Sequence, residues 1–265
     1  MIRTILLKIH FFLSQQLGFS PIAFLNFFRF LPKYLRDFYL FKRQYSGRMK
    51  LYPCLGDHVS SMGAHRNEYF WQDLLVAQQI FESNPQKHVD IGSRLDGFIA
   101  HVASFREVEI FDIRPLNVSI PNVIFKQSDI MDIDSFTPDM FSCCDSLSCL
   151  HALEHFGLGR YGDPIDPHGY EKGLRSLSNI LSNEGTLYLS TPIGRERVEF
   201  NANWVFSPIK LIELAQSFSL VLVTLTIISQ YGKYQILETI DSSNLELLSN
   251  EHYNLGLFEF IKKDE

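Results

Sequence analysis

The chain has 265 residues, with 24 Lys and Arg against 30 Asp and Glu, for a formal charge of −6. With 46% hydrophobic and only 20% charged residues, it is not a disordered chain. At roughly 150 residues per domain it holds one large domain or one domain with an appendage, and it can bury a core without staples. Four cysteines, two of them adjacent at Cys143 and Cys144, exclude a disulfide scaffold and read as reduced thiols in a cytoplasmic protein.

The charge is unevenly placed. Residues 1–50 hold nine Lys and Arg against Asp37 alone, a charge of +8, and nine of the 23 Phe. The remainder carries −14. This divides the chain into a basic, Phe-rich helical extension, 1–50, and an acidic main domain, 51–265. Residues 9–28 lack charge but are too polar for a membrane span and are broken at Pro21. Lys8 and His10 interrupt the apolar stretch, and no small-residue cleavage site follows, so no signal peptide is expected. Ile2, Ile5, Leu6, Ile9, Leu13 and Leu17 recur at helical spacing. Ser20-Pro21 reads as an N-cap opening a second helix, which Leu31-Pro32 should stop, and Lys33–Gln44 is a third, aromatic and basic stretch. The plainer reading is a cap packed on the main domain. The sharper one is peripheral association with anionic lipid or a membrane-bound partner, at the inner face of the membrane. The acidic balance of the whole chain argues against nucleic acid.

From Gln86 onward, strand and helix patterns alternate. Lys87–Ile91, Val108–Ile113, Asn122–Phe125, Phe141–Ser148 and Thr186–Ser190 read as strands. Phe98–Ser104, Leu150–Phe156 and Tyr170–Leu181 read as helices. Leu220–Ile228 suits a strand by its Val, Ile and Thr, and Gly256–Lys262 a last strand, antiparallel at the sheet edge. The expected fold is α/β: a mostly parallel sheet with helices on both faces.

In such sheets ligands bind beyond the carboxyl ends of the strands. The first strand ends in Asp90-Ile91-Gly92-Ser93, where Gly92 permits a tight turn. The second ends at Asp112 with Ile113, an acid placed to accept ribose hydroxyls, and the third unit is followed by Asp129 and Ile130, placed for an adenine. Alone, each is as easily a turn or a helix cap. Together, at successive strand ends, they point to a nucleotide-like cofactor. The dinucleotide G-x-G-x-x-G and phosphate G-x-x-x-x-G-K-[ST] patterns are absent, which lowers NAD and ATP.

Residues 86–208 resemble the class I S-adenosylmethionine-dependent methyltransferases. Asp90–Gly92 is similar to the family's first motif, with Ser93-Arg94 replacing the usual second Gly. Asp112 matches the ribose acid, Asp129 the adenine position, and Leu150–His155 the segment after the fourth strand. Nearly the whole chain also resembles bacterial proteins grouped as domain of unknown function 268 (DUF268), through Asp90–Gly97, Phe105–Glu107, Asp112–Pro115 and His155–Pro167. The resemblance implies a Rossmann-like methyltransferase fold and S-adenosylmethionine as cofactor, held by Asp90, Gly92, Ser93, Asp112, Ile113, Asp129, Ile130 and His151.

His151-x-x-Glu154-His155 also spells an inverted zinc-peptidase motif, but its place directly after a strand favours the cofactor reading, and no metal is expected. The loop Gly157–His168, with three Gly and two Pro, reads as a substrate loop or a rigid lid. Methyl transfer to a hydroxyl needs alignment and a base. His155 or Glu154 is the first candidate, Asp163 or Asp166 the next, with Arg160 suited to an anionic group on the acceptor. Glu196, Arg197, Asn201, Asn203 and Trp204 are candidates for the opposite wall.

The leading expectation is a methyltransferase acting on a small-molecule or glycan acceptor, a sugar or surface-polysaccharide precursor. One alternative is a non-catalytic binding partner, if Arg94 blocks the methionine pocket. The other is a transferase using a nucleotide-sugar in the same crevice.

Overall fold

The computed structural model describes residues 12–14, 17–55, 67–230, 232–237 and 239–263. The expected first helix, residues 2–17, lies largely outside them. Contacts divide the chain into two compact units, Met1–Gly63 and Ala64–Glu265, so this boundary falls beyond the one read from charge.

Among the described residues of the first unit, α1 (Pro21–Lys42) is one continuous helix that runs on through the stretch expected to follow a stop at Leu31-Pro32. Ser20 caps it, its Oγ accepting from the Ala23 N–H at 3.2 Å, and Pro21 fills the first turn as read from the sequence. Pro32 lies inside α1 rather than ending it. A proline withholds one N–H and crowds the preceding turn, at a cost of about 3 kcal/mol, but it can bend a helix without ending it. No residue of α1 is buried.

In the second unit the described residues form an eight-stranded sheet in the order β3-β2-β1-β4-β5-β10-β8-β9. Its strands are β1 (His88–Ile91), β2 (Val108–Asp112), β3 (Val123–Gln127), β4 (Cys144–Leu150), β5 (Leu181–Ile193), β8 (Leu220–Ile228), β9 (Tyr234–Ile236) and β10 (Asn254–Lys262). β6 (Arg197–Glu199) and β7 (Asn203–Val205) form a separate hairpin. Strands β1 to β5 are parallel, whereas β10 is antiparallel to both β5 and β8. β10 was expected at the edge. It lies inside the sheet, which its almost continuous burial requires.

Helices cover both faces. α2 (Glu68–Ser83), the short α3 (Ala100–Ala103) and the π-helical turn Leu95–Ile99 before it pack Val76, Ile80, Phe98 and Val102 on Ile110, Leu150 and Tyr188. α4 (Gly169–Ile180) and α5 (Pro208–Gln216) pack Leu174, Leu177, Ile180, Leu211 and Ala215 on Val89, Leu147, Leu187 and Leu189. Adjacent strand residues thus enter opposite cores, the period of two expected of a sheet covered on both sides. α6 (Ser242–Asn250), capped by Asp241, precedes β10.

The expected helix Leu150–Phe156 does not form. β4 runs to Leu150, His151 turns the chain at φ 53°, and a single 3₁₀ turn, Leu153–His155, follows. Leu150, Ala152 and Leu153 are buried in cores on both sides of the sheet, which fixes the chain as strand and tight turn.

Candidate active site

Register aligns the strand ends. Asp90 pairs with Ile110 of β2 and Ser148 of β4, so the carboxyl ends of β1, β2 and β4 finish side by side. Beyond them lies a cavity of about 220 Å³. Gly92, Asp112, Ile113, Asp129 and Ile130 line it, and so do His151, Glu154, His155, Arg160 and Asp163. Ten of the thirteen residues singled out for a cofactor or chemistry therefore meet at one cavity.

Three do not line it. Asp90 and Ser93 are buried beneath the turn. Asp90 accepts from the Ser93 N–H at 3.0 Å, from Ser93 Oγ at 2.6 Å and from Ser148 Oγ at 2.5 Å. These bonds shape the turn that presents Gly92, at φ 70°, to the cavity. Burial pushes the Asp90 carboxyl up to about 6, although its hydrogen bonds pull the other way. Asp166 is the third: it pairs with Lys172 at 2.6 Å, accepts from the His168 N–H, and closes the Gly157–His168 loop away from the cavity.

Asp112 stands at the end of β2 under a clamp. Arg114 donates to it through its backbone N–H at 2.8 Å and its Nε at 2.9 Å, and lies 4.8 Å over the Tyr161 ring. Arg114 Nη2 also donates to the second oxygen, so three donors meet about four lone-pair positions: the clamp orients Asp112 and leaves one position for a hydroxyl. Asp129 accepts from the Met131 N–H at 2.9 Å. Ile113, Ile130 and Phe111 supply the apolar surface between the two acids. Arg94 turns outward, pairing with Asp96 at 2.8 Å and stacking 5.2 Å over Tyr69. It forms part of the rim and does not fill the cavity.

The chemistry-bearing cluster is more elaborate than the sequence suggested. His151 Nδ1 meets Glu154 Oε1 at 2.7 Å. His151 Nε2 faces Glu68 Oε1 at 3.7 Å, and Tyr253 Oη donates to that same oxygen at 2.9 Å. The imidazole lies against the Tyr69 ring at 4.5 Å. Burial opposes a charged His151, but Glu154, Glu68 and Asp73 outweigh it and raise its pKa. Burial likewise opposes a charged Glu154, and His151 outweighs it to lower that pKa. His155 differs: its Nδ1 is tied to the Ala202 carbonyl at 2.7 Å, and burial lowers its pKa. Arg160 donates to the same carbonyl at 2.8 Å. Asp163 accepts from the Gly159 and Tyr161 N–H groups, a loop-shaping role. Asn203 reaches the cavity, whereas Glu196, Arg197, Asn201 and Trp204 are not among its lining.

Glu68, Tyr69 and Tyr253 were not singled out in the sequence. Asn67 caps α2 ahead of an apolar run, a legible signal for the helix that carries the first two. Tyr253 arrives because antiparallel β10 starts where β5 ends, with Asn254 opposite Ile193. The zinc geometry is not formed, since His151 and His155 do not share a helix face. Among the described residues no cluster of three ligand-type side chains could hold a metal ion.

The profile of a family described as a Caenorhabditis protein of unknown function, DUF268, matches residues 125–254. That description names Caenorhabditis, not the bacterial grouping expected from the sequence. No curated protein matches the chain. Among solved structures, it is similar to the 1,6-didemethyltoxoflavin N1-methyltransferase of Burkholderia thailandensis, solved with 1,6-didemethyltoxoflavin and S-adenosylhomocysteine. The identity is 14% and the TM-score 0.52, over 82% of this chain and 94% of that one. It is also similar to the [4+2]-cyclase SpnF, at 12% identity and a TM-score of 0.50, over 73% and 82% of the two chains. The shared feature is the fold, that of the class I Rossmann-like methyltransferases, and the second case shows that this fold hosts other reactions.

Proposed function

We propose that the chain is an S-adenosylmethionine-dependent methyltransferase that O-methylates a sugar or surface-polysaccharide precursor. The observation that carries this is the delivery of Gly92, Asp112, Asp129 and Ile130 by three successive strand ends to the one cavity that also holds the His151–Glu154 pair. The residues suit that cofactor: a glycine turn with no side chain in the way, an acid for the ribose, and Asp129 beside Ile113 and Ile130 for the adenine. S-adenosylmethionine supplies a methyl group on a sulfonium, whose C–S bonding pair leaves with sulfur. The protein contributes alignment and a base. In a cavity otherwise lined largely by apolar side chains, His151, Glu154, Asn203 and Arg160 supply hydrogen-bonding groups for hydroxyls on an acceptor.

The first unit supports work at a membrane surface. Arg29, Lys33 and Arg36 follow one stripe of α1, and Phe24, Phe28, Leu35 and Tyr39 form another that is exposed. Basic and aromatic stripes on one helix suit the headgroup layer of an anionic bilayer. No helix among the described residues is long and apolar enough to cross a membrane.

A thermal-shift panel on the full chain tests the cofactor assignment. S-adenosylhomocysteine should raise the melting temperature, and ATP, NAD and UDP-sugars should not. Stabilisation by a UDP-sugar alone would replace this reading with nucleotide-sugar transfer.

A further inference from the structure

Three polar atoms of the cavity-lining cluster, Glu68 Oε2, His151 Nε2 and Glu154 Oε2, are buried with no hydrogen-bond partner among the described residues. The His151 side chain is 6% exposed and that of Glu154 is 1%. Leaving such groups unpaired costs about 1–3 kcal/mol each, a cost that a ligand hydrogen-bonding to them relieves.

Their arrangement says what that ligand offers. Glu154 takes one edge of the His151 imidazole, at Nδ1, and Glu68 stands beyond the other, at Nε2. With its proton on Nδ1 toward Glu154, His151 presents Nε2 as an acceptor. All three orphaned atoms then accept, and none donates. Two carboxylates around one imidazole also repel an anion. The geometry points to an acceptor subsite for a neutral 1,2-diol: one hydroxyl on His151 Nε2, the neighbouring hydroxyl on Glu68. This rests on the methyltransferase reading and goes beyond it by naming His151, rather than His155, as the base and by excluding a carboxyl group as acceptor.

In the step, the hydroxyl proton passes to His151 Nε2. The oxygen keeps that pair of electrons and bonds to the transferred methyl carbon. Glu154 stabilises the imidazolium that forms, and Tyr253 fixes Glu68 through its hydrogen bond. His155 is less suited: a neutral carbonyl, not a carboxylate, holds its Nδ1, Arg160 beside it opposes the imidazolium, and its Nε2 is not among the buried unpartnered atoms. The groups facing His151 are Glu154 and His155 from the 3₁₀ turn, Glu68, Tyr69 and Asp73 from α2, Tyr253 before β10, and Arg94 from the β1 turn. The acids among them favour the charged ring, so the base form appears as pH rises through a value above 6.5, and Glu154→Gln moves that limb to lower pH.

Two measurements on the full chain test the proposal. Imidazole ¹⁵N NMR with labelled histidine reads the tautomer without turnover. The neutral His151 ring should carry its proton on Nδ1, and Glu154→Gln should lower its pKa. A proton on Nε2, or an unchanged pKa in Glu154→Gln, would overturn the assignment. Radiolabelled S-adenosylmethionine is then offered with UDP-hexoses, methyl hexopyranosides and the matching uronic acids. Base-stable methyl ether on a hydroxyl that neighbours a free hydroxyl is expected. His151→Asn should cut transfer at least 100-fold while S-adenosylhomocysteine affinity stays within about threefold. Base-labile methyl ester on the uronic acids would overturn the subsite, as would no transfer to any diol by a chain that binds S-adenosylhomocysteine. Failure to bind S-adenosylhomocysteine would instead remove the underlying function, leaving the NMR result standing.

Discussion

Replacing Asp90 by Asn should relieve a burden that the fold carries at neutral pH. Asp90 is fully buried beneath the Gly92 turn, and burial raises its carboxyl from 3.8 to about 6. One pKa unit is worth about 1.4 kcal/mol, so the charged form costs the folded state about 3 kcal/mol. Below pH 3.8 both states hold the proton and nothing is lost. Between 3.8 and 6 the unfolded chain releases it first, so this contribution to stability falls as pH rises. Above 6 the loss is complete. Asn keeps the acceptor for the Ser93 N–H, and its amide can donate to Ser93 Oγ and Ser148 Oγ. Ser148 can then turn its proton to His88 Nε2, 3.1 Å away, because burial holds that imidazole neutral, at a pKa of about 3. Urea unfolding followed by circular dichroism at pH 4.5 and 7.5 measures the effect. The stability of Asp90→Asn relative to the parent should rise by about 2 kcal/mol across that interval. A difference independent of pH would refute the reasoning.

Gly157→Ala should cost about 3 kcal/mol or more, because φ is 79° and the new Cβ would sit 1.9 Å from the Asp166 carbonyl oxygen. Thermal unfolding with and without the substitution checks it, and a loss under 1 kcal/mol would contradict the loop's close approach. In vesicle sedimentation the full chain should partition to phosphatidylcholine–phosphatidylglycerol bilayers over pure phosphatidylcholine. Charge reversal at Arg29, Lys33 and Arg36 should weaken that at least 30-fold, at about 1 kcal/mol per base. Equal partition to both bilayers would remove the lipid assignment.

Local patterns carried most of the sheet. Leu220–Ile228 stands as read, because a run of Val, Ile and Thr has few other ways to pack. The acids and glycine at the ends of β1 and β2 were legible since turn chemistry and ligand chemistry select the same few residues there. Position relative to the cavity was not. Asp90 has the same sequence signal whether it faces a ligand or, as here, Ser93 and Ser148. His151 looked helical because Leu, Ala and Glu surround it, whereas burial on both faces of the sheet decides its turn. Glu68 and Tyr253, which share a hydrogen bond, lie at opposite ends of the main unit's sequence, and only the antiparallel placement of β10 joins them.

Calorimetric titration of the full chain with S-adenosylhomocysteine bears most directly on the cofactor assignment. One molecule should bind per chain with a Kd of about 100 μM or tighter. Asp112→Asn should weaken it roughly 10- to 100-fold, the worth of a charged hydrogen bond to a ribose hydroxyl. Absence of binding, or equal affinity in Asp112→Asn, would contradict the account.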